Sequence, residues 1–189
     1  MAYLKLEELL SDNYLFEDYF LLPEIKLNPT NSYPIDWKSS PHPSIEKYGF
    51  FTSDLGNTFE IILEKNPEGL LSTKEIQDLQ QKNGPSDIFA IHFRVKGEYG
   101  LEGTQRKGGR ESVLKVYNTL YKVLMEVTQT TKPGFIAITS VDATNYHPIY
   151  LNLVKNNTLP GYTKINNSVK WEVMGIPVTS IILKSTKNG

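Results

Sequence analysis

The chain has 189 residues, 39% hydrophobic and 22% charged, with a formal net charge of -1. That suffices for one globular domain, or one domain and an arm, to bury a core unaided by disulfides or metal. The absence of cysteine excludes disulfide scaffolds, thiolate-bound zinc, iron–sulfur clusters and thiol catalysis. Near-neutral charge offers no electrostatic basis for nucleic-acid binding.

The N-terminal run Met1-Ala-Tyr-Leu-Lys-Leu-Glu-Glu-Leu-Leu lacks a basic leader ahead of a continuous apolar stretch. Glu7, Glu8 and Asp12 interrupt what would be a signal core, so no secretory peptide is expected. Apolar runs such as Phe135-Ile-Ala-Ile138 are strand-sized, well short of the ~20 residues that span a bilayer. A cytoplasmic location without membrane contact is expected.

Leu4 to Leu22 approximates a helical apolar stripe, broken at Ser11-Asp12-Asn13. Pro29, Pro34, Pro41 and Pro43 follow, and prolines at this density favour irregular or extended chain. Residues 1–45 therefore read as a helical and Pro-rich arm, and 46–189 as the main domain. The arm's aromatics either pack on that domain or dock on a partner.

The main domain opens with two β-prone runs, Tyr48 to Ser53 and Thr58 to Lys65, joined through Asp54-Leu-Gly-Asn57 as a hairpin. Ser72-Thr-Lys-Glu75 predicts a capping box, with Ser72 as N-cap of a helix reaching about Lys82. In the strand predicted over Asp87–Lys96, alternation puts Ile88, Ala90, His92, Arg94 and Lys96 on one face, and Phe89, Ile91, Phe93 and Val95 on the other. A Gly-rich polar loop runs from Gly97 to Arg110. A helix over about Glu111–Thr128 carries Val113, Val116, Tyr117, Leu120, Leu124 and Val127 at helical spacing. Then follow a buried strand, Phe135–Val141, a second helix from Tyr146 to about Lys155, and strands Val169–Val173 and Val178–Leu183 around a Gly175-Ile-Pro177 bend. Mixed strands with one β-α-β crossover predict an α+β fold of α/β-like character.

The order of strand, Gly-rich loop, helix, strand and Tyr-bearing helix resembles the core of the GNAT N-acetyltransferases. The resemblance implies a mixed central sheet flanked by helices. It also implies a loop whose amides hold the pyrophosphate of acetyl-CoA at a helix N-terminus, where unpaired N–H groups and the helix dipole attract phosphate. The family's loop pattern is Gln/Arg-x-x-Gly-x-Gly/Ala. Here Gln105-Arg-Lys-Gly108-Gly109-Arg110 matches at Gln105 and Gly108, with Lys107 and Gly109 between and Arg110 at the last small position. Arg110 departs from the pattern, since its side chain must turn outward to leave the backbone accessible. The resemblance also carries the family's thiolate-protonating tyrosine onto Tyr150. Asn145 stands closer to Tyr150, and Gly161-Tyr162 farther from it, than the family's spacing.

The hairpin, the Phe-x-Val strand, the Gly-rich turn and the Val-x-x-Val-Tyr helix, over residues 48–162, also resemble small bacteriophage proteins of unknown function with a GNAT-like core. That resemblance implies a virion-associated or cytoplasmic protein acting by contacts with a protein partner or by self-association in an assembly or host interaction. The alternative is an acyl-CoA-dependent N-acyltransferase with an atypical phosphate loop, using acetyl-CoA. Of the histidines, His42, His92 and His147 lie far apart without metal-ligand spacing. His92 reads as a partly buried polar residue of its strand. Glu98 and Glu102 are candidate bases near the strand end.

Overall fold

The computed structural model describes residues 27–40, 42–54, 56–95, 110–141, 159–173 and 175–186. Among these residues seven strands form one mixed sheet: β1 (Asp36–Lys38), β2 (Ile45–Thr52), β3 (Thr58–Lys65), β4 (Ile88–Val95), β5 (Phe135–Val141), β6 (Tyr162–Val173) and β7 (Ile176–Ser185). Among the described residues three helices accompany them: α1 (Glu68–Leu71), α2 (Lys74–Asn83) and α3 (Arg110–Thr130). The strand order is β1-β2-β3-β4-β5-β7-β6. Among the described strands only β4 and β5 pair in parallel, and α3 lies between them in sequence. The other neighbours are antiparallel. The architecture is α+β and sheet-dominated.

Alternation along the strands gives the sheet two apolar faces. Phe51, Ile61, Leu63, Phe89, Ile91, Ile136, Ile138, Ile181 and Leu183 pack against Leu120, Val123, Leu124 and Val127 of α3. On the opposite face Ile88, Ala90, Phe135, Ala137, Val169, Trp171 and Ile182 pack with Leu70 of α1 and Ile76 of α2. Each fully buried Leu, Ile or Phe contributes roughly 1.5–3 kcal/mol to folding. The alternation expected for β4 matches: Ile88 and Ala90 go to one core, Phe89, Ile91 and Phe93 to the other.

The segment Leu27–Lys38 packs on the domain. Asn28 N–H donates to Asn118 Oδ1 (2.8 Å), Asn118 Nδ2 donates to the Asn31 carbonyl (2.9 Å), and Tyr33 N–H donates to Thr119 Oγ1 (2.9 Å). These contacts explain two buried polar residues inside an apolar helix face, since each side chain satisfies backbone groups of the passing segment. The Tyr33 ring is buried and stacks on Phe51 at 5.4 Å. β1 then pairs with β2 through Trp37↔Gly49. Gly49 is required there, because an added Cβ would stand 2.6 Å from Ile35 Cγ2 and 2.7 Å from Trp37 Cε3.

Some boundaries differ from the sequence reading. Pro67 stands at the N-cap of a one-turn helix, α1, between β3 and α2, which the sequence reading did not include. Ser72 is not the N-cap of the following helix: its hydroxyl donates back to the Gly69 carbonyl (2.9 Å), and Thr73 stands at the N-cap of α2. β6 and β7 are longer than expected because Tyr162 and Thr163 extend the ladder against Ser185 and Lys184. The helix expected at 146–155 lies outside the described residues. Among the described residues no helix is long and apolar enough to cross a membrane.

Candidate functional site

The parallel pair β4/β5 is in register from Ile88↔Phe135 to His92↔Thr139 and no further. Beyond that rung β4 continues against β3 as far as Phe59↔Val95. β5 likewise continues against β7 as far as Val141↔Val178. Residues 93–95 and 140–141 therefore form the two arms of a fork. Among the described residues no ladder pair joins 93–95 to 140–141. The Gly-rich loop leaves from the β4 arm, and α3 begins where it ends, at Arg110. The first four N–H groups of a helix have no partner within it.

A polar cluster lies at the base of this fork on the α1/α2 face. Trp171 Nε1 donates to Ser180 Oγ (2.8 Å), and the Ser180 and Thr139 hydroxyls are 2.8 Å apart. All three residues are buried. The His92 ring lies against the Trp171 indole, centroids 5.9 Å apart. His92 Nε2 stands 3.3 Å from Glu64 Oε2 on β3, with side-chain exposures of 15% and 21%. The contact is not an aligned hydrogen bond, and Nε2 is a buried polar atom left without one. The adjacent His92 imidazole holds the Glu64 carboxyl below its ordinary range against the opposing effect of burial, with the Ser44 hydroxyl adding to the depression. Ser44 Oγ in turn lies 2.8 Å from His42 Nδ1.

Register sets what surrounds His92. Lys38↔Tyr48, Tyr48↔Ile62, Ile62↔His92, His92↔Thr139, Thr139↔Ser180 and Ser180↔Val169 make one unbroken row across all seven strands. Its β4–β6 part lies within or beside the apolar core beneath α1 and α2. Its β2–β4 part, with Tyr48, Ile62 and His92, is half-buried. Tyr48 and Phe50 meet edge to face there at 5.4 Å.

The predicted loop residues Gln105, Lys107, Gly108 and Gly109 lie outside the described residues, as do Tyr150, Glu98 and Glu102. Arg110 is placed as the first residue of α3. Glu64 escaped the sequence reading. Its signal was its place on the same strand face as Ile62, two residues away, but only the β3/β4 register brings it to His92. Trp171 and Ser180 escaped it too, although their positions either side of the Gly175 turn place them on neighbouring strands.

A second concavity, about 250 Å³, lies on the α3 face among Trp37, Leu63, Phe89, Val123 and Val127, with Lys47 and Glu126 beside them. Among the described residues, the buried side-chain polar atoms without a hydrogen bond, on Ser53 and His92, lie outside its lining. Among the described residues no group of three or more His, Asp or Glu could hold a metal ion. In comparisons with known proteins, no family, curated protein or solved structure matches this chain.

Proposed function

We propose that the chain is an acyl-CoA-dependent N-acyltransferase with a GNAT-like core, and that the fork between β4 and β5 receives the pantetheine arm of the thioester. The observation that carries this reading is the parting of β4 and β5 after His92↔Thr139 while each keeps its outer neighbour. An extended ligand with amide groups can pair with the backbone edges that the fork leaves open, as an added strand would. The start of α3 at the end of the Gly-rich loop supports phosphate binding there, through helix N–H groups and dipole. Under this reading Gln105, Lys107, Gly108, Gly109 and Arg110 hold the pyrophosphate, and Tyr150 protonates the leaving thiolate.

The sequence alone gave more weight to an assembly protein acting through a partner surface. The fork and the polar cluster at its base favour the enzyme, because a partner surface requires neither an opened ladder nor a half-buried acid–histidine pair. Titration calorimetry with acetyl-CoA tests the reading, with Gly108→Glu as control. Micromolar binding that the substitution abolishes is expected. A folded protein that binds no acetyl-CoA would overturn it.

A further inference from the structure

We infer that the concavity on the α3 face is a second ligand site, and that it takes a free α-amino acid with an apolar side chain. The site is separate from the fork and does not rest on the acyl-transfer reading. Phe89, in its base, stands four residues before the β4 arm at 93–95, about 13 Å along the strand to its first residue. α3 spans the two places: it starts where the Gly-rich loop ends and closes at the concavity.

The shape of the concavity follows from the local sequence. Leu63, Phe89, Val123 and Val127 form its base, and all four are buried. Trp37 forms one wall. Its indole lies over Gly49, its partner across the β1/β2 pair, where a Cβ would stand 2.7 Å from Trp37 Cε3. The mouth takes its charges from an irregularity in β2. Ile45 pairs with Glu64 and Lys47 with Leu63, so Glu46 is an extra residue on β2. Simple alternation sends neighbouring residues to opposite faces. The bulge instead brings both Glu46 and Lys47 to the concavity, as bulges do where a strand re-aims a side chain beside a site. Glu126 of α3, with Thr130 and Thr131 at its end, completes the mouth.

Those charges define the ligand. Among the described residues, Glu46, Lys47 and Glu126 enter no ion pair. The last turn of α3 carries no basic residue, and the carbonyl end of a helix favours a positive group. Lys132, just beyond, lies outside the lining. A ligand ammonium is therefore matched by Glu126 and Glu46, and a ligand carboxylate by Lys47, at one opening. The base accepts an apolar group, since a polar one would be buried there without a partner. The volume, about 250 Å³, equals the liquid share of roughly eight waters. It lies below the roughly 300–1,000 Å³ of sites for drug-sized ligands. A small zwitterion with an apolar side chain meets all of these conditions together.

The test uses the full chain, with calorimetry and the Trp37 indole N–H resonance as readouts. The probes are L-phenylalanine, 2-phenylethylamine, which lacks the carboxylate, and 3-phenylpropionate, which lacks the ammonium. L-Phenylalanine should bind with a Kd below about 1 mM and shift the resonances of Trp37 and the amides of Phe89 and Val127. Each analogue should bind about tenfold more weakly, through loss of one charge-assisted contact. Lys47→Met should remove the preference for L-phenylalanine over 2-phenylethylamine. Glu46→Gln combined with Glu126→Gln should remove the preference over 3-phenylpropionate. These substitutions alter the mouth alone, so thermal melts should stay unchanged. No binding of L-phenylalanine at about 10 mM, or an analogue binding as tightly as the amino acid, would overturn the inference. Shifts confined to 93–95 and 140–141 would place the ligand at the fork and overturn it equally. None of these outcomes bears on acetyl-CoA binding, which the calorimetry of the acyl-transfer reading decides separately.

Discussion

His92 and Thr139 are the last partners of the only parallel pair among the described strands, and beyond them each strand pairs with its outer neighbour alone. The rung is pinned from both sides. Thr139 shares a 2.8 Å hydroxyl contact with Ser180, which also accepts from Trp171. His92 rests between Trp171 and Glu64. The fork therefore has a fixed base, and a ligand entering it meets a defined set of side chains.

Ser180→Ala should destabilise the fold by about 2 kcal/mol. The hydroxyl removed is the acceptor for a buried indole N–H and the partner of a buried threonine, and a buried donor left unsatisfied costs roughly 1–3 kcal/mol. Urea denaturation at constant m-value measures it. Combining Ser180→Ala with Thr139→Val should cost less than the two single substitutions summed, because they share one interaction. A loss under 0.5 kcal/mol would mean that the Trp171–Ser180–Thr139 triad does not hold the rung.

Gly49→Ala should cost about 1–3 kcal/mol through overpacking. The methyl group would meet the side chains of Ile35 and Trp37, which lie across β2. Trp37 fluorescence should change with the substitution, reporting displacement of β1 from the sheet edge. An unchanged midpoint and spectrum would show that β1 is not seated on Gly49.

The Glu64 carboxyl titrates below its ordinary value of 4.5, chiefly through His92. A carboxyl whose pKa is depressed on folding binds its proton more weakly in the native state. Its stabilising contribution is then complete above the unfolded value and is lost as pH falls through the folded one. Wild type should thus be more stable than Glu64→Gln at pH 6, and the difference should shrink steadily below about pH 4.5. Equal pH dependence of the two proteins in thermal melts would remove the Glu64–His92 pairing.

Much of the fold was legible because periodicity dominates it. The β2/β3 hairpin, the two faces of β4, the helix α3 and strand β5 follow from alternation, turn residues and helical spacing in the chain itself. Other features depend on register, which local sequence does not set. α1 and α2 intervene between β3 and β4, so nothing in the chain indicates that Ile62 faces His92, or that Glu64 reaches it. The fork is a missing pairing between strands separated by a loop and a long helix, and it has no local signature. The burial of Asn118 and Thr119 likewise depends on the Asn28–Tyr33 segment, ninety residues away in the chain, which supplies their partners.

The central claim, that the fork is where the thioester ligand lies, is tested most directly by amide hydrogen exchange with and without saturating acetyl-CoA. Backbone amides that pair with a bound ligand exchange only when it leaves. The account predicts slowed exchange in peptides covering 93–95 and 140–141, by up to about 100-fold at a ligand concentration 100 times its Kd, with little change in β1 and β2. Protection confined to the cleft around Trp37, Phe89 and Val127, or none anywhere in a protein that binds the ligand, would contradict it.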